Sequence, residues 1–138
     1  MPNEKQVEEL LYQNAWKARE RAWAPYSGFR VGAALWLPKN QTVVTGVNVE
    51  NASYGATICA ERSALVSIVS QFGKTDIGIV LVATDAEEPA VPCAQCLQVM
   101  AEFCVADMIV LLANAGGIQV RYRFKDLLPH PFTSFKVE

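Results

Sequence analysis

Two features that mark whole classes of protein are missing from this 138-residue sequence. There is no uninterrupted run of eighteen or more apolar residues, which excludes a transmembrane helix. There is also no excess of positive charge, since the formal net charge is −2, the pI is about 5.4 and the basic residues are scattered. We therefore expect no membrane partner and no dedicated binding of nucleic-acid backbones.

The sequence also lacks a secretory signal, because the stretch from Met1 to Glu9 is polar and charged. A cytoplasmic location is the expectation that follows. Thiols stay reduced in that compartment, so the four cysteines are not expected to form a disulfide framework. Histidine is almost absent, and His130 stands between two prolines, which does not favour a metal role.

The hydrophobic pattern predicts a single α/β domain over residues 1–138. Apolar residues recur at helical spacing from Val7 to Ala22, and Pro25 ends that helix. The elements that follow are two strands joined by a short polar turn, then a helix, a strand, a helix and two strands (31–37, 42–49, 59–72, 77–83, 94–103, 108–113 and 118–124), with a further helical turn allowed at the end. This order predicts a three-layer α/β/α sandwich with a mixed five-stranded sheet.

Three of the four cysteines fall at predicted helix starts. Cys59 begins the second helix, and Cys93 and Cys96 begin the third as a C-x-x-C pair. Such a pair turns both sulfurs toward one point, and the unpaired backbone N–H groups of a helix start favour thiolate over thiol. If the two helix starts converge, zinc gains three thiolate ligands and keeps a fourth position for water. That is the arrangement of a catalytic zinc.

Glu61 distinguishes this interpretation from its alternatives. It follows Cys59 by two residues, close enough to reach a water on the metal without being a ligand. The combined pattern C-x-E…P-C-x-x-C is a three-cysteine variant of the H-x-E…P-C-x-x-C signature of zinc deaminases. Buried structural cysteines or a thioredoxin-like redox pair would account for the thiols but not for Glu61. Cys104 is instead predicted to be a packed core thiol.

The net charge of such a site predicts a role for Arg62. Three thiolates outweigh the charge of Zn²⁺, and the excess weakens the pull of the metal on its water. Arg62 follows Glu61 and can offset this charge by donating to the thiolate sulfurs. The alternative for Arg62 is an ordinary surface ion pair.

Over nearly its whole length the sequence resembles the cytidine deaminases of the small, homotetrameric type. The resemblance is carried in order by APYSGFRVGAA at 24–34, GVNVENASYG at 46–55, CAER at 59–62, PCAQCLQ at 92–98 and LLPHPF at 127–132. It implies a zinc-dependent enzyme of pyrimidine salvage that converts cytidine or deoxycytidine to the uridine form with release of ammonia. Zinc is then held by Cys59, Cys93 and Cys96, one ion per chain, and Glu61 shuttles the protons.

The resemblance also implies the residues that bind the substrate. Phe29 packs against the pyrimidine, Ala60 contacts the substrate, and Asn48 with Glu50 binds the 3′-hydroxyl of the ribose. Phe132 covers the site of a neighbouring subunit in the homotetramer. The pair Asn48 and Glu50 has independent support, because residues two apart at a strand end project to the same side. Ordinary loop capping is the alternative for that pair.

Three positions depart from the family pattern. Val91, Ala94 and Leu97 stand where the family usually has serine, glycine and arginine. None is a ligand or the acid, so the departures bear on substrate choice. The alternatives left open are a deaminase of a cytosine-containing antibiotic such as blasticidin S, an RNA or DNA base editor, and a non-catalytic zinc module. Net charge and the ribose pair count against the editor, and Glu61 counts against the structural module.

Overall fold

The computed structural model describes residues 1–135, which form a sheet flanked by helices. The α-helices are α1 (Glu4–Ala18), α2 (Ala60–Phe72), α3 (Ala94–Met100) and α4 (Phe124–Leu127), and the strands are β1 (Val31–Leu37), β2 (Thr42–Val47), β3 (Ile79–Thr84), β4 (Ile109–Asn114) and β5 (Gly117–Arg123). Within this described part of the chain, no helix is both long enough and apolar enough to cross a membrane.

The five strands form one mixed sheet in the order β2-β1-β3-β4-β5. β1 pairs antiparallel with β2 and with β3, and β5 pairs antiparallel with β4. The parallel pair is β3 with β4, which are connected through α3. The predicted hairpin, the parallel crossover and the mixed five-stranded sheet are all confirmed.

Both faces of the sheet are covered, because successive side chains of a strand point to opposite faces. On β1, Ala33 and Leu35 belong to the core beneath α2 and α3, whereas Ala34 and Trp36 belong to a second core beneath α1. The unbroken apolar run of this strand is therefore explained by burial on both faces. The result is the predicted three-layer α/β/α sandwich.

Several elements end earlier than their sequence pattern predicts. The first helix was predicted to reach Ala22, but its α-helical part ends at Ala18 and tightens into a 3₁₀ turn. Trp23 explains the difference, because its N–H and carbonyl pair with Asn48 and Glu50 and require extended backbone. Similarly, β2 ends at Val47, and Val49 continues only as isolated bridges.

Gly46 on β2 determines how closely α2 approaches the sheet. A side chain at this position would overlap the carbonyl oxygen of Ala60 and the backbone of Ala64. Because only glycine leaves that room, the first turn of α2 packs directly on the strand. Gly46 thus places the helix start that carries Cys59 and Glu61.

Candidate active site

Three cysteine sulfurs meet where α2 and α3 begin. Cys59 is the N-cap of α2, Cys93 is the N-cap of α3, and Cys96 lies in the first turn of α3. Their sulfur atoms all lie within 4.8 Å of one another, and the sulfurs of Cys59 and Cys93 are 3.7 Å apart. A tetrahedral ion with Zn–S bonds of about 2.3 Å holds its sulfurs roughly 3.8 Å apart. The spacing therefore fits one zinc ion.

The electrostatics of the cluster also fit a cation. Burial raises the pKa of the Cys59 thiol, although the hydrogen bond from Arg62 acts to lower it. Burial and repulsion by the Glu61 carboxylate raise the pKa of Cys96 still further. Burial opposes ionisation at Cys93 as well, but hydrogen bonds, first that from the Cys96 backbone N–H, outweigh it and lower the pKa. A divalent cation among the sulfurs would relieve this crowding of negative charge.

Glu61 lies beside the cluster as the second residue of α2, with only 4% of its surface exposed. Burial raises the pKa of its carboxyl group above the usual value, because the charged form loses hydration. It lines a hollow together with Cys59 and Cys93. A buried carboxyl group with a raised pKa that lines the same hollow as two of the cysteines is suited to acid–base chemistry.

Arg62 lies beside the same cluster. Its Nη2 donates to the sulfur of Cys59 at 3.6 Å and to the carbonyl oxygen of Thr57 at 3.3 Å. Among residues 1–135, no carboxylate forms an ion pair with Arg62. The Arg62 guanidinium is thus placed beside the Cys59 sulfur, where its positive charge would offset the charge of a thiolate.

The hollow contains most of the residues that were predicted to bind substrate. Its walls include Phe29, Asn48 and Ala60 as well as Glu61, and it encloses about 210 Å³. Pockets for whole small-molecule ligands begin at roughly 300 Å³, so the hollow has room for only part of a nucleoside. A flat heterocyclic base against Phe29 would fit this space.

Asn48 and Glu50 face different spaces. Asn48 is buried in the hollow, where its Oδ1 accepts from the N–H of Val31 at 2.9 Å and its Nδ2 donates to the carbonyl of Phe29 at 2.8 Å. Glu50 lines an adjoining open depression instead, and Thr57 belongs to the walls of both. The two side chains therefore line adjoining spaces that share Thr57 as a wall.

Glu50 is held by a segment whose role the sequence did not reveal. Its carboxylate accepts from the N–H groups of Tyr26 and Ser27 at 2.9 and 3.1 Å, and from the hydroxyl of Ser27. The Ser27 hydroxyl, aided by the two backbone N–H groups, lowers the pKa of Glu50 in spite of the opposing effect of desolvation. Glu50 is thus a fixed, ionised acceptor at the rim of the hollow. Spacing alone could not reveal this contact, because it joins residues more than twenty positions apart.

Phe132 lies outside the hollow of its own chain. It follows α4 in the C-terminal tail, its side chain is 64% exposed, and its backbone is bonded to Gln98 on α3. Cys104 also lies apart from the sulfur cluster, and burial raises the pKa of its thiol to about 12. It is a neutral, packed thiol.

Comparison with known proteins identifies the family. A family model described as the cytidine and deoxycytidylate deaminase zinc-binding region matches residues 5–112. The chain belongs to the cytidine and deoxycytidylate deaminase family. Within this deaminase family, the chain is 47% identical over 126 residues to a cytidine deaminase of Halalkalibacterium halodurans, covering 91% of this chain and 94% of that protein. The predicted family resemblance is confirmed.

Solved structures of the deaminase family share the fold as well. A crystal structure of cytidine deaminase from Burkholderia pseudomallei superposes with a TM-score of 0.83 at 40% identity, covering 90% of this chain and 98% of that one. The cytidine deaminase from Mycobacterium tuberculosis gives a TM-score of 0.76 at 33% identity, covering 91% and 97%. The mixed sheet with its flanking helices is thus the architecture of the deaminase family.

Proposed function

We propose that the protein is a zinc-dependent hydrolase that converts cytidine and deoxycytidine to the uridine form and releases ammonia. The observation that carries this proposal is the cluster of three cysteine sulfurs, two of whose residues, Cys59 and Cys93, line the same hollow as the buried Glu61. Cys59, Cys93 and Cys96 hold the metal, which supplies Lewis acidity for the activation of water. In the net reaction water adds its oxygen to C4 of the pyrimidine, and the bond from C4 to the amino nitrogen breaks.

Glu61 moves the protons of this reaction. Its carboxylate accepts a proton from the attacking water and donates it to N3 of the base, which makes C4 more electrophilic. It then transfers the second proton of the water to the amino group at C4, which leaves as ammonia. Burial raises the pKa of the Glu61 carboxyl above its usual value, which makes the carboxylate a stronger base toward the proton of the water.

The hollow takes the base, and its rim takes the sugar. Phe29 provides an aromatic wall, and Ala60, the first residue of α2, offers a backbone N–H that has no partner within the helix. Asn48 retains one N–H and one lone pair after its two backbone bonds, and Glu50 presents its carboxylate at the rim. These two residues hold the 3′-hydroxyl of the sugar.

The active assembly in this proposal is a homotetramer in which Phe132 covers the site of a neighbouring subunit. Its support is the exposed apolar surface of α2, where Val66, Val69 and Phe72 recur at helical spacing and are 62%, 42% and 39% exposed. Such a surface, together with the exposed Phe132, is typical of a protein–protein contact. Sedimentation should give a mass of about four chains, and an active monomer would contradict the assembly. The reduced thiols of the metal site suit the cytoplasm.

A substrate series tests the activity. Release of ammonia should be rapid from cytidine and from deoxycytidine, which share the 3′-hydroxyl, and far slower from free cytosine, which leaves Asn48 and Glu50 without a sugar partner. Blasticidin S is the fourth compound, because Val91 lines the hollow and departs from the family pattern. Turnover of blasticidin S without turnover of cytidine would favour the antibiotic deaminase. Zinc binding without any turnover would indicate a structural metal module.

A further inference from the structure

The side chain of Gln98 holds the C-terminal tail at two points. Its Nε2 donates to the carbonyl oxygen of Phe132 at 2.7 Å, and its Oε1 accepts from the backbone N–H of Phe132 at 3.2 Å. The amide thus pairs with both polar backbone groups of one residue, as a neighbouring strand would. Paired bonds of this kind restrict the backbone of Phe132 in both position and orientation.

The same contact leaves the side chain of Phe132 facing outward. Its neighbours Pro131 and Thr133 line a groove on their own subunit, against Ala101 and Leu128. Phe132 is 64% exposed and does not line the hollow of its own chain. The hydrogen bonds fix the backbone of Phe132 at a cost in conformational entropy, but its exposed ring buries no apolar surface in return. Burial of the ring against another subunit would offset that cost.

We propose that Gln98 is a positioning residue that acts across the subunit interface, by clamping the Phe132 backbone so that its ring forms a wall of the neighbouring subunit's site. This inference rests on the proposed homotetramer and its placement of Phe132. It adds a link between sites, because Gln98 lies on α3 only two residues after Cys96. The start of one short helix therefore supplies two metal ligands to its own subunit, and the same helix fixes the aromatic wall of the next subunit.

The variant Gln98→Met tests the clamp, since methionine has similar length and flexibility but neither bonding group. Without the clamp the Phe132 ring samples other positions, and we expect KM for cytidine to rise about five- to tenfold, the effect of losing one to two hydrogen bonds. The value of kcat should stay within about twofold, because Glu61 and the metal ligands are untouched. Gln13→Met on α1, far from the site, is the matched control and should leave both constants unchanged.

A double-mutant cycle separates action through Phe132 from damage to α3. Phe132→Ala removes the ring that the clamp positions. If Gln98 acts only by holding that ring, adding Gln98→Met to Phe132→Ala should raise KM no further. Fully multiplicative effects of the two changes would overturn the proposal, because Gln98 would then act through its own subunit's helix.

Mixed tetramers test whether the action crosses the interface. Tagged Gln98→Met chains, which retain Glu61, are assembled with an excess of Glu61→Gln chains, which retain the clamp. Catalysis then occurs only in Gln98→Met subunits, whose aromatic wall comes from Glu61→Gln neighbours. We expect their KM to return to the wild-type value. A KM that remains high in the mixed tetramers would show that Gln98 acts within its own subunit and would overturn the inference.

The result distinguishes failure of this inference from failure of the proposed function. Wild-type protein that does not deaminate cytidine overturns the function, and the inference with it. Wild-type protein that is active and tetrameric, combined with a Gln98→Met variant of unchanged KM, overturns the inference alone. Zinc content and thermal unfolding of Gln98→Met are measured in parallel. Loss of zinc from that variant would also count against a role confined to the tail.

Discussion

Replacement of Glu61 by glutamine is the most direct test of the mechanism. Glutamine keeps the shape of the side chain and one carbonyl-type oxygen, but it cannot accept a proton from water or deliver one to the base. General acid–base groups contribute about 10²- to 10⁴-fold to turnover. Because Glu61 performs two proton transfers in the proposed cycle, we expect kcat for cytidine to fall by at least about a hundredfold.

The structure also predicts what the Glu61→Gln change should leave intact. Glu61 is 4% exposed, so the protein bears the cost of removing a carboxyl group from water. A neutral amide of the same size lowers that cost, and the free energy of unfolding at neutral pH should not decrease. The three cysteine sulfurs are unchanged, so zinc content should remain about one ion per chain.

The assay follows ammonia release and the absorbance change of cytidine, with zinc measured in the same preparations. Glu102→Gln, an exposed carboxylate beyond α3, is the matched control and should behave as wild type. If Glu61→Gln retained zinc and near-normal turnover, Glu61 would not be the proton shuttle and the mechanism would be refuted. If it lost zinc, the low activity would no longer report on proton transfer, and Glu61 would be part of the metal site instead.

Further predictions concern the metal, the packing of α2 and the sugar contact. Cys93→Ser should remove most of the zinc, whereas Cys104→Ser, which changes a thiol outside the cluster, should keep it. Gly46→Ala should destabilise the protein by about 1–3 kcal/mol in chemical denaturation and reduce zinc affinity by displacing the start of α2, while Gly55→Ala, where a side chain meets open space, should do neither. Glu50→Ala should lower kcat/KM for cytidine about tenfold with little effect on cytosine, and equal losses for both would contradict a sugar contact. Because hydrogen bonds lower the pKa of Glu50, its carboxylate stays ionised as the pH falls to about 5, and the ratio of the uridine affinities of wild type and Glu50→Ala, measured by titration, should stay constant over that range.

Residues that act through local spacing could be identified without coordinates. Cys93 and Cys96 lie one helical turn apart, and Glu61 lies two residues from Cys59, so covalent geometry brings each set together once the helices form. The apolar periodicity likewise predicts the helices and strands, and their alternation predicts a mixed sheet between two helical layers. These features depend on neighbours in the chain, and they were confirmed by the fold.

Tertiary packing determined the contacts between residues that are far apart in the sequence, which no local pattern encodes. The pairing of Trp23 with Asn48 and Glu50 ended the first helix early, and the hydrogen bonds from Tyr26 and Ser27 placed Glu50 at the rim rather than in the hollow. Gln98 and Phe132 are thirty-four residues apart, and nothing in their spacing predicts that the amide of one clamps the backbone of the other. Such contacts arise only after the sheet has ordered its strands and the helices have packed on it. The sequence shows which functional group each residue carries. Only the folded backbone determines which distant residue that group contacts.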